Sequence, residues 1–159
     1  MANITLDKIR SMLEKSGVDF RELEHPPTRT SEESAAARGE SLSIGAKALL
    51  LKTDDTFRLF VLPANRKLNS GAIRKHLHVK RTRFATREEL HEMTGLVPGC
   101  VPPFGEPILP FELYADEAVG AAIDRVAFNA GSLTHSIIMS ANDWERITQP
   151  SRFSFSRED

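Results

Sequence analysis

Apolar residues recur at two different periods along this chain, and the changes of period sketch its elements. Leu6, Ile9, Met12 and Leu13 share one face at helical spacing, with Thr5 as the candidate N-cap and Gly17 placed to end the helix. "VDFREL" is strand-like and runs into "HPP", whose prolines remove backbone donors and disfavour helix in the residue before them. Thr30 and Glu33 have capping-box spacing ahead of a short helix, and Gly39 suits its exit.

The period then shortens. "AKALLLK" and "FRLFVL" are strand-length apolar runs joined by "TDDT", a hairpin pattern. "SGAIRKHL" and "TREELHEM" predict short helices around a strand at "VKRTRF", and Thr86 with Glu89 repeats the capping box. After the loop "GLVPGCVPPFG", "FELYAD", "VAFNAG" and "THSIIMS" read as strands and "ANDWERI" as a closing helix. Strands that arrive in hairpin-like pairs favour an α+β fold over a doubly wound one. The expectation is one compact domain, residues 1–150, with a mixed, largely antiparallel sheet flanked by helices. The polar tail 151–159 is expected to be loose or borrowed by a neighbouring subunit.

Composition narrows the class. With 159 residues, 40% of them apolar, the chain can bury one core, whereas two domains would each be undersized. A single cysteine, Cys100, excludes an internal disulfide framework. The start lacks a secretory signal pattern, and no apolar run approaches the roughly 20 residues of a membrane span, so a cytoplasmic protein without a membrane partner is expected.

A net charge of −1 conceals an uneven distribution. Between positions 66 and 87 stand Arg66, Lys67, Arg74, Lys75, Lys80, Arg81, Arg83 and Arg87, without one aspartate or glutamate. Such a block is either solvated surface or a face that tracks phosphates, and its length inside a near-neutral chain points to nucleic acid. One tryptophan and one tyrosine in the whole chain argue against base stacking, so backbone contact with structured RNA fits better.

Three positions carry candidate chemistry. In a strand, Lys47 shares a face with Leu49 and Leu51, while Ala46, Ala48 and Leu50 take the other; both faces look buried. An ammonium group there either meets a polar or anionic ligand or snorkels from a strand edge. His135 falls by parity with Ile137 and Met139, opposite Thr134, Ser136 and Ser140, which fits a hydrogen-bonded core histidine as well as a binding group. Gly99, four residues before Pro103, can present its backbone N–H to a developing oxyanion; the alternative is a proline-stiffened crossover without chemistry. Cys100 lacks a nucleophile's signature and is expected to line a pocket. His76 and His78 have no further ligands for a metal site, and dinucleotide, phosphate-loop and serine-hydrolase motifs are absent.

"GAKALLLK", "TGLVPGCVPPFG" and "AFNAGSLTHSIIMSANDW" together resemble the YbaK/ProX family of trans-editing aminoacyl-tRNA deacylases, relatives of the editing insertion domain of bacterial prolyl-tRNA synthetase. The likeness covers nearly the whole chain. It implies a free-standing hydrolase that acts on mischarged tRNA, with no cofactor or metal, and leaves open whether a synthetase takes part. Lys47, Gly99 and His135 match the catalytic positions. Thr30, Cys100, Val101, Pro102, Pro103, Asn129 and Gly131 are the implied substrate-binding set, and Arg66, Lys67, Arg74, Lys75, Lys80, Arg81 and Arg83 the tRNA-binding set. The loop "GCVPPFG" departs from the branch that clears Cys-tRNA(Pro) and looks closer to branches acting on alanine, serine or threonine. A Cys-tRNA(Pro) deacylase and a non-catalytic tRNA or synthetase adaptor are the alternatives.

Overall fold

Local signals place most elements of the computed structural model, which describes residues 3–158. Helix α1 (Ile4–Lys15) buries Leu6, Ile9 and Leu13. Its cap is Asn3, whose Oδ1 accepts from Leu6 N–H at 3.0 Å, two residues before the expected Thr5. Strand β1 (Phe20–Glu24) follows, then α2 (Ser31–Arg38) with the complete Thr30/Glu33 capping box and a left-handed Gly39. A 3-10 turn, Leu42–Ile44, leads into the hairpin β2 (Ala46–Thr53) and β3 (Thr56–Pro63). Short β4 (Lys67–Leu68) precedes α3 (Ser70–Leu77), β5 (Thr82–Phe84) and α4 (Arg87–Thr94), whose Thr86/Glu89 box is also complete. Beyond the Gly/Pro loop come β6 (Leu113–Asp116), β7 (Val126–Asn129), β8 (His135–Met139) and α5 (Ala141–Thr148).

Two further strands, β9 (Ser151–Phe153) and β10 (Ser156–Arg157), follow α5. The strands form a five-stranded sheet in the order β5-β2-β3-β6-β9, a three-stranded sheet β1-β8-β7, and a two-stranded pair β10-β4. Antiparallel pairing prevails; β3-β6 and β6-β9 are parallel. The α+β class with a mixed, largely antiparallel sheet therefore holds. Between the two larger sheets lies the main core, which packs α1 and α5 against Leu59, Val61, Phe104, Phe128 and Ile137, with Trp144 fully buried.

The tail corrects the sequence reading. Residues 151–157 are neither loose nor lent to another chain: β9 (Ser151–Phe153) adds in parallel to β6, and β10 (Ser156–Arg157) pairs with β4. Two aromatic side chains drive this docking. Phe155 is 1% exposed and meets Phe60 edge-on at 5.4 Å, while Phe153 packs on Tyr114 and under the His76 ring. Buried Asp116 fixes the backbone by accepting from Phe155 N–H at 2.7 Å and Ser156 N–H at 2.9 Å. The domain thus extends past residue 150.

Candidate functional site

A cavity of about 600 Å³ opens where the first turn of α2, the start of β2, the β3–β4 link and the loop at 98–101 converge, with β7 behind them. Part of its wall is built from small residues. Gly45, Ala46, Ala48, Ala64 and Ala127 all face it. A Cβ on Gly45 would approach Ala64 Cβ to 2.9 Å, so the close passage of two chain segments here requires glycine. Such a lining admits a small ligand group and leaves polar contacts to the rim.

Lys47, Gly99, Thr30, Val101 and Asn129 line this cavity together with Arg66 and Lys67. Of the two settings that the sequence leaves open for Lys47, the structure shows the strand-edge one: the side chain is exposed. Strand β5 covers only Leu51–Thr53 of β2, so the Lys47 end of that strand is an open edge. Its ammonium group has no hydrogen bond or ion pair among the described residues. Thr30 spends its hydroxyl on the Glu33 N–H as the cap of α2 (3.1 Å), which places the helix start against the cavity.

Gly99 has φ +91°, a conformation that L side chains rarely adopt, and a Cβ would meet Leu133 Cδ2 at 3.2 Å. Its carbonyl accepts from Asn129 Nδ2 at 2.7 Å. The N–H groups of Gly99 and Val101 donate to no group of the chain among the described residues, whereas Cys100 N–H is taken by the Val97 carbonyl at 3.1 Å. Two backbone donors therefore remain on a loop that lines the same cavity as Lys47.

Five of the expected catalytic and substrate-binding residues lie outside the cavity. Cys100 is 5% exposed in the core, where burial raises its thiol pKa, and its carbonyl holds Gly131 N–H at 3.0 Å. Pro102 and Pro103 are buried and do not line the cavity, and the Pro103 carbonyl accepts from Trp144 Nε1 at 2.9 Å. Gly131 serves packing, because a Cβ there would strike Thr5 of α1 at 2.8 Å. His135 turns away from the cavity. Its Nδ1 meets Thr134 Oγ1 at 2.9 Å and Ser132 Oγ at 3.2 Å, and its Nε2 lies 3.7 Å from Glu24 Oε2 across the β1–β8 pairing.

The opposite face of β8 carries what the sequence reading missed. Ser136, fully buried, accepts from Arg38 Nε at 3.0 Å and contacts both His25 Nε2 (2.8 Å) and Asn129 Oδ1 (3.2 Å). Arg38 Nη2 also donates to Asn129 Oδ1 at 3.2 Å. No carboxylate pairs with Arg38 among the described residues, and desolvation lowers its pKa to about 10, so it remains cationic at neutral pH. A signal for it did exist: Ser34, Ala35 and Arg38 lie at i, i+1 and i+4 on the inward face of α2.

In space the basic block is less one-sided than in sequence. Arg66 reaches the cavity rim while bonded to Ser156 Oγ at 2.7 Å, and Arg74 is tied to Ser70 and Thr82. Arg83 forms a two-pronged pair with Glu89, at 2.8 and 2.9 Å, which holds that carboxyl down at about 2. Asp54 accepts from the backbone N–H groups of Lys80 (3.0 Å) and Arg81 (2.9 Å). Lys67, Lys75, Lys80 and Arg81 keep exposed side chains.

Comparisons with known proteins agree with this architecture. A model of the aminoacyl-tRNA editing domain matches residues 25–147. The chain is 33% identical over 160 residues to the multifunctional Ser/Thr-tRNA deacylase ProXp-y of Escherichia coli (strain K12), spanning 98% of this chain and 95% of that protein. It is 32% identical over 129 residues to a proline–tRNA ligase of Bacillus licheniformis, which takes in 79% of this chain and 22% of the ligase. A crystal structure described as a candidate trans-editing enzyme for prolyl tRNA synthetase has the same fold, with a TM-score of 0.83 at 24% identity over 99% of both chains.

Proposed function

The chain belongs to the aminoacyl-tRNA editing domain family, and from that premise we propose that it is a trans-editing deacylase for mischarged tRNA bearing alanine, serine or threonine. Its alignment along 95% of a Ser/Thr-tRNA deacylase supports both the reaction and the free-standing form. The observation that carries the mechanism is the presence of Lys47 and the unpaired amides of Gly99 and Val101 on one cavity.

In this reading the ester carbonyl lies against the loop, and the amides of Gly99 and Val101 stabilise the tetrahedral oxyanion. Water attacks the carbonyl carbon, the bond to the ribose oxygen breaks, and the tRNA hydroxyl leaves with a proton. The aminoacyl ester is already reactive, so the protein contributes position and charge rather than a nucleophile. Lys47 anchors the terminal nucleotide, and Arg66 and Lys67 at the rim continue that contact toward the acceptor stem through phosphates. The small-residue wall suits a short side chain. Because such a wall separates ligands differing by one methylene by only about 10- to 200-fold, activity on several small aminoacyl groups is expected.

The test is deacylation of alanyl-, seryl-, threonyl- and cysteinyl-tRNA by the purified protein. Turnover of the first three above cysteinyl-tRNA supports the assignment. Preference for cysteinyl-tRNA, or hydrolysis of simple esters independent of tRNA, overturns it.

A further inference from the structure

The buried cluster behind Gly99 poses a question of proton count. His25 Nδ1 lies 2.9 Å from the Pro26 carbonyl oxygen, which can only accept, so Nδ1 carries a proton. In the neutral ring Nε2 is then a bare acceptor, 2.8 Å from Ser136 Oγ. Ser136 has one hydroxyl proton, and two acceptors compete for it: His25 Nε2 and, at 3.2 Å, Asn129 Oδ1. The orientation of Asn129 is not free to relieve the conflict. Its Nδ2 must donate to the Gly99 carbonyl, and its Oδ1 must accept from Arg38 Nη2.

The conflict has two solutions. With His25 neutral, the hydroxyl turns to the imidazole, and Asn129 Oδ1 is held by Arg38 alone. When Nε2 takes up a proton from hydronium, which leaves as water, the ring becomes a donor at both nitrogens. Ser136 Oγ then accepts from His25 and Arg38 with its two lone pairs, and its O–H rotates to Asn129. Only the new N–H bond is covalent.

We infer that His25, Ser136 and Asn129 form a positioning relay, in which the protonation state of His25 sets how firmly Asn129 holds the Gly99 carbonyl and thereby aims the Gly99 amide. None of the three is a catalytic residue in this role. The inference rests on the hydrolase reading for its catalytic consequence, but its structural core does not. Arg38 is the charged group facing this cluster from α2. Strand β8 contributes neutral Ser136 and turns His135 to Glu24 on the other face, while β7 contributes neutral Asn129.

A pH titration of the full-length protein by NMR tests the relay, following the His25 ring nitrogens and the Gly99 amide. The two signals are expected to move with one midpoint. In Ser136→Ala the ring should still titrate while the Gly99 response vanishes, and in His25→Gln that response should be absent as well. A Gly99 amide that stays flat through the His25 midpoint overturns the relay from the wild-type protein alone, as does a response that persists in Ser136→Ala.

Kinetics on seryl-tRNA form the second arm. The ratio of wild-type to Ser136→Ala kcat should be several-fold higher below the midpoint than above it, with KM unmoved; this stays under the roughly 100-fold expected for outright loss of an oxyanion donor. A ratio constant with pH refutes the catalytic consequence. Coupled NMR titrations in a protein that deacylates no aminoacyl-tRNA would leave the relay standing and overturn the hydrolase reading instead.

Discussion

Gly99 and Gly95 form a matched pair for testing whether the loop amide acts in the reaction. Both sit at positive φ, +91° and +75°, so alanine at either position is strained. Gly95 ends α4, and a Cβ there meets nothing within 4 Å; at Gly99 it meets only the end of the Leu133 side chain. A left-handed non-glycine residue costs about 1–3 kcal/mol. At about 2–4 °C per kcal/mol for a domain of this size, each alanine variant should lower Tm by roughly 2–12 °C. The kinetic consequences should separate them. Gly99→Ala tilts an oxyanion donor whose complete loss is worth about 100- to 1,000-fold, so kcat on seryl-tRNA should fall by about 100-fold. Gly95→Ala should keep kcat within about threefold, since Gly95 is not part of the cavity wall. Thermal melts monitored by circular dichroism, paired with single-turnover deacylation at 25 °C, supply both readings. Equal kcat in the two variants, despite equal destabilisation, would refute the role of the Gly99 amide.

Three further outcomes follow from the same structure. Lys47→Ala should retain its wild-type melting temperature to within about 2 °C, because the side chain is exposed and unpaired, yet lose deacylation; retained activity would remove the lysine from the mechanism. Arg66→Gln should reduce the slope of log KM against log salt by about one, while Arg83→Gln changes it little because Glu89 already engages that guanidinium; an equal effect of both would show that the pair opens on binding. Phe155→Ala removes a side chain 1% exposed, for which about 3–5 kcal/mol is typical, so Tm should drop by at least about 6 °C. A drop under 2 °C would show the tail to be dispensable.

Legibility in the sequence followed the range of the interactions. Both capping boxes were readable because a Thr and a Glu three residues apart satisfy each other's backbone partners locally. The β2–β3 hairpin was equally plain. The tail was not, since "SRFSFSRED" looks polar by count and its strands exist only because β6 and β4, far back in the chain, offer edges to pair with. For Lys47, alternation alone leaves the embedded and strand-edge settings open, because it cannot show that β5 stops short of that residue. No such local signal identifies the partners of Arg38: a basic residue just before a helix-ending glycine suits the helix dipole, and Ser136 and Asn129 lie about a hundred residues further along the chain.

The placement of His135 and Ser136 shows what period-two alternation can and cannot decide. Parity correctly separates the two residues onto opposite faces of β8, but it says nothing about which face meets the ligand. On the more apolar face, parity alone fits a hydrogen-bonded core histidine at 135 as well as a binding group, and the expectation of a site role there comes from the family resemblance. In the structure Ile137 and Met139 on that face do enter the core, and His135 at its end turns to Glu24 and the 132–134 turn. The serine face is the one that backs the cavity, because a desolvated Arg38 and the carbonyl of Gly99 must be satisfied there without a carboxylate. Small hydroxyl and amide side chains do that at little cost in volume. The same requirement accounts for a cluster without acidic groups among the described residues: a carboxylate beside Arg38 would compete with Asn129 Oδ1 for the guanidinium.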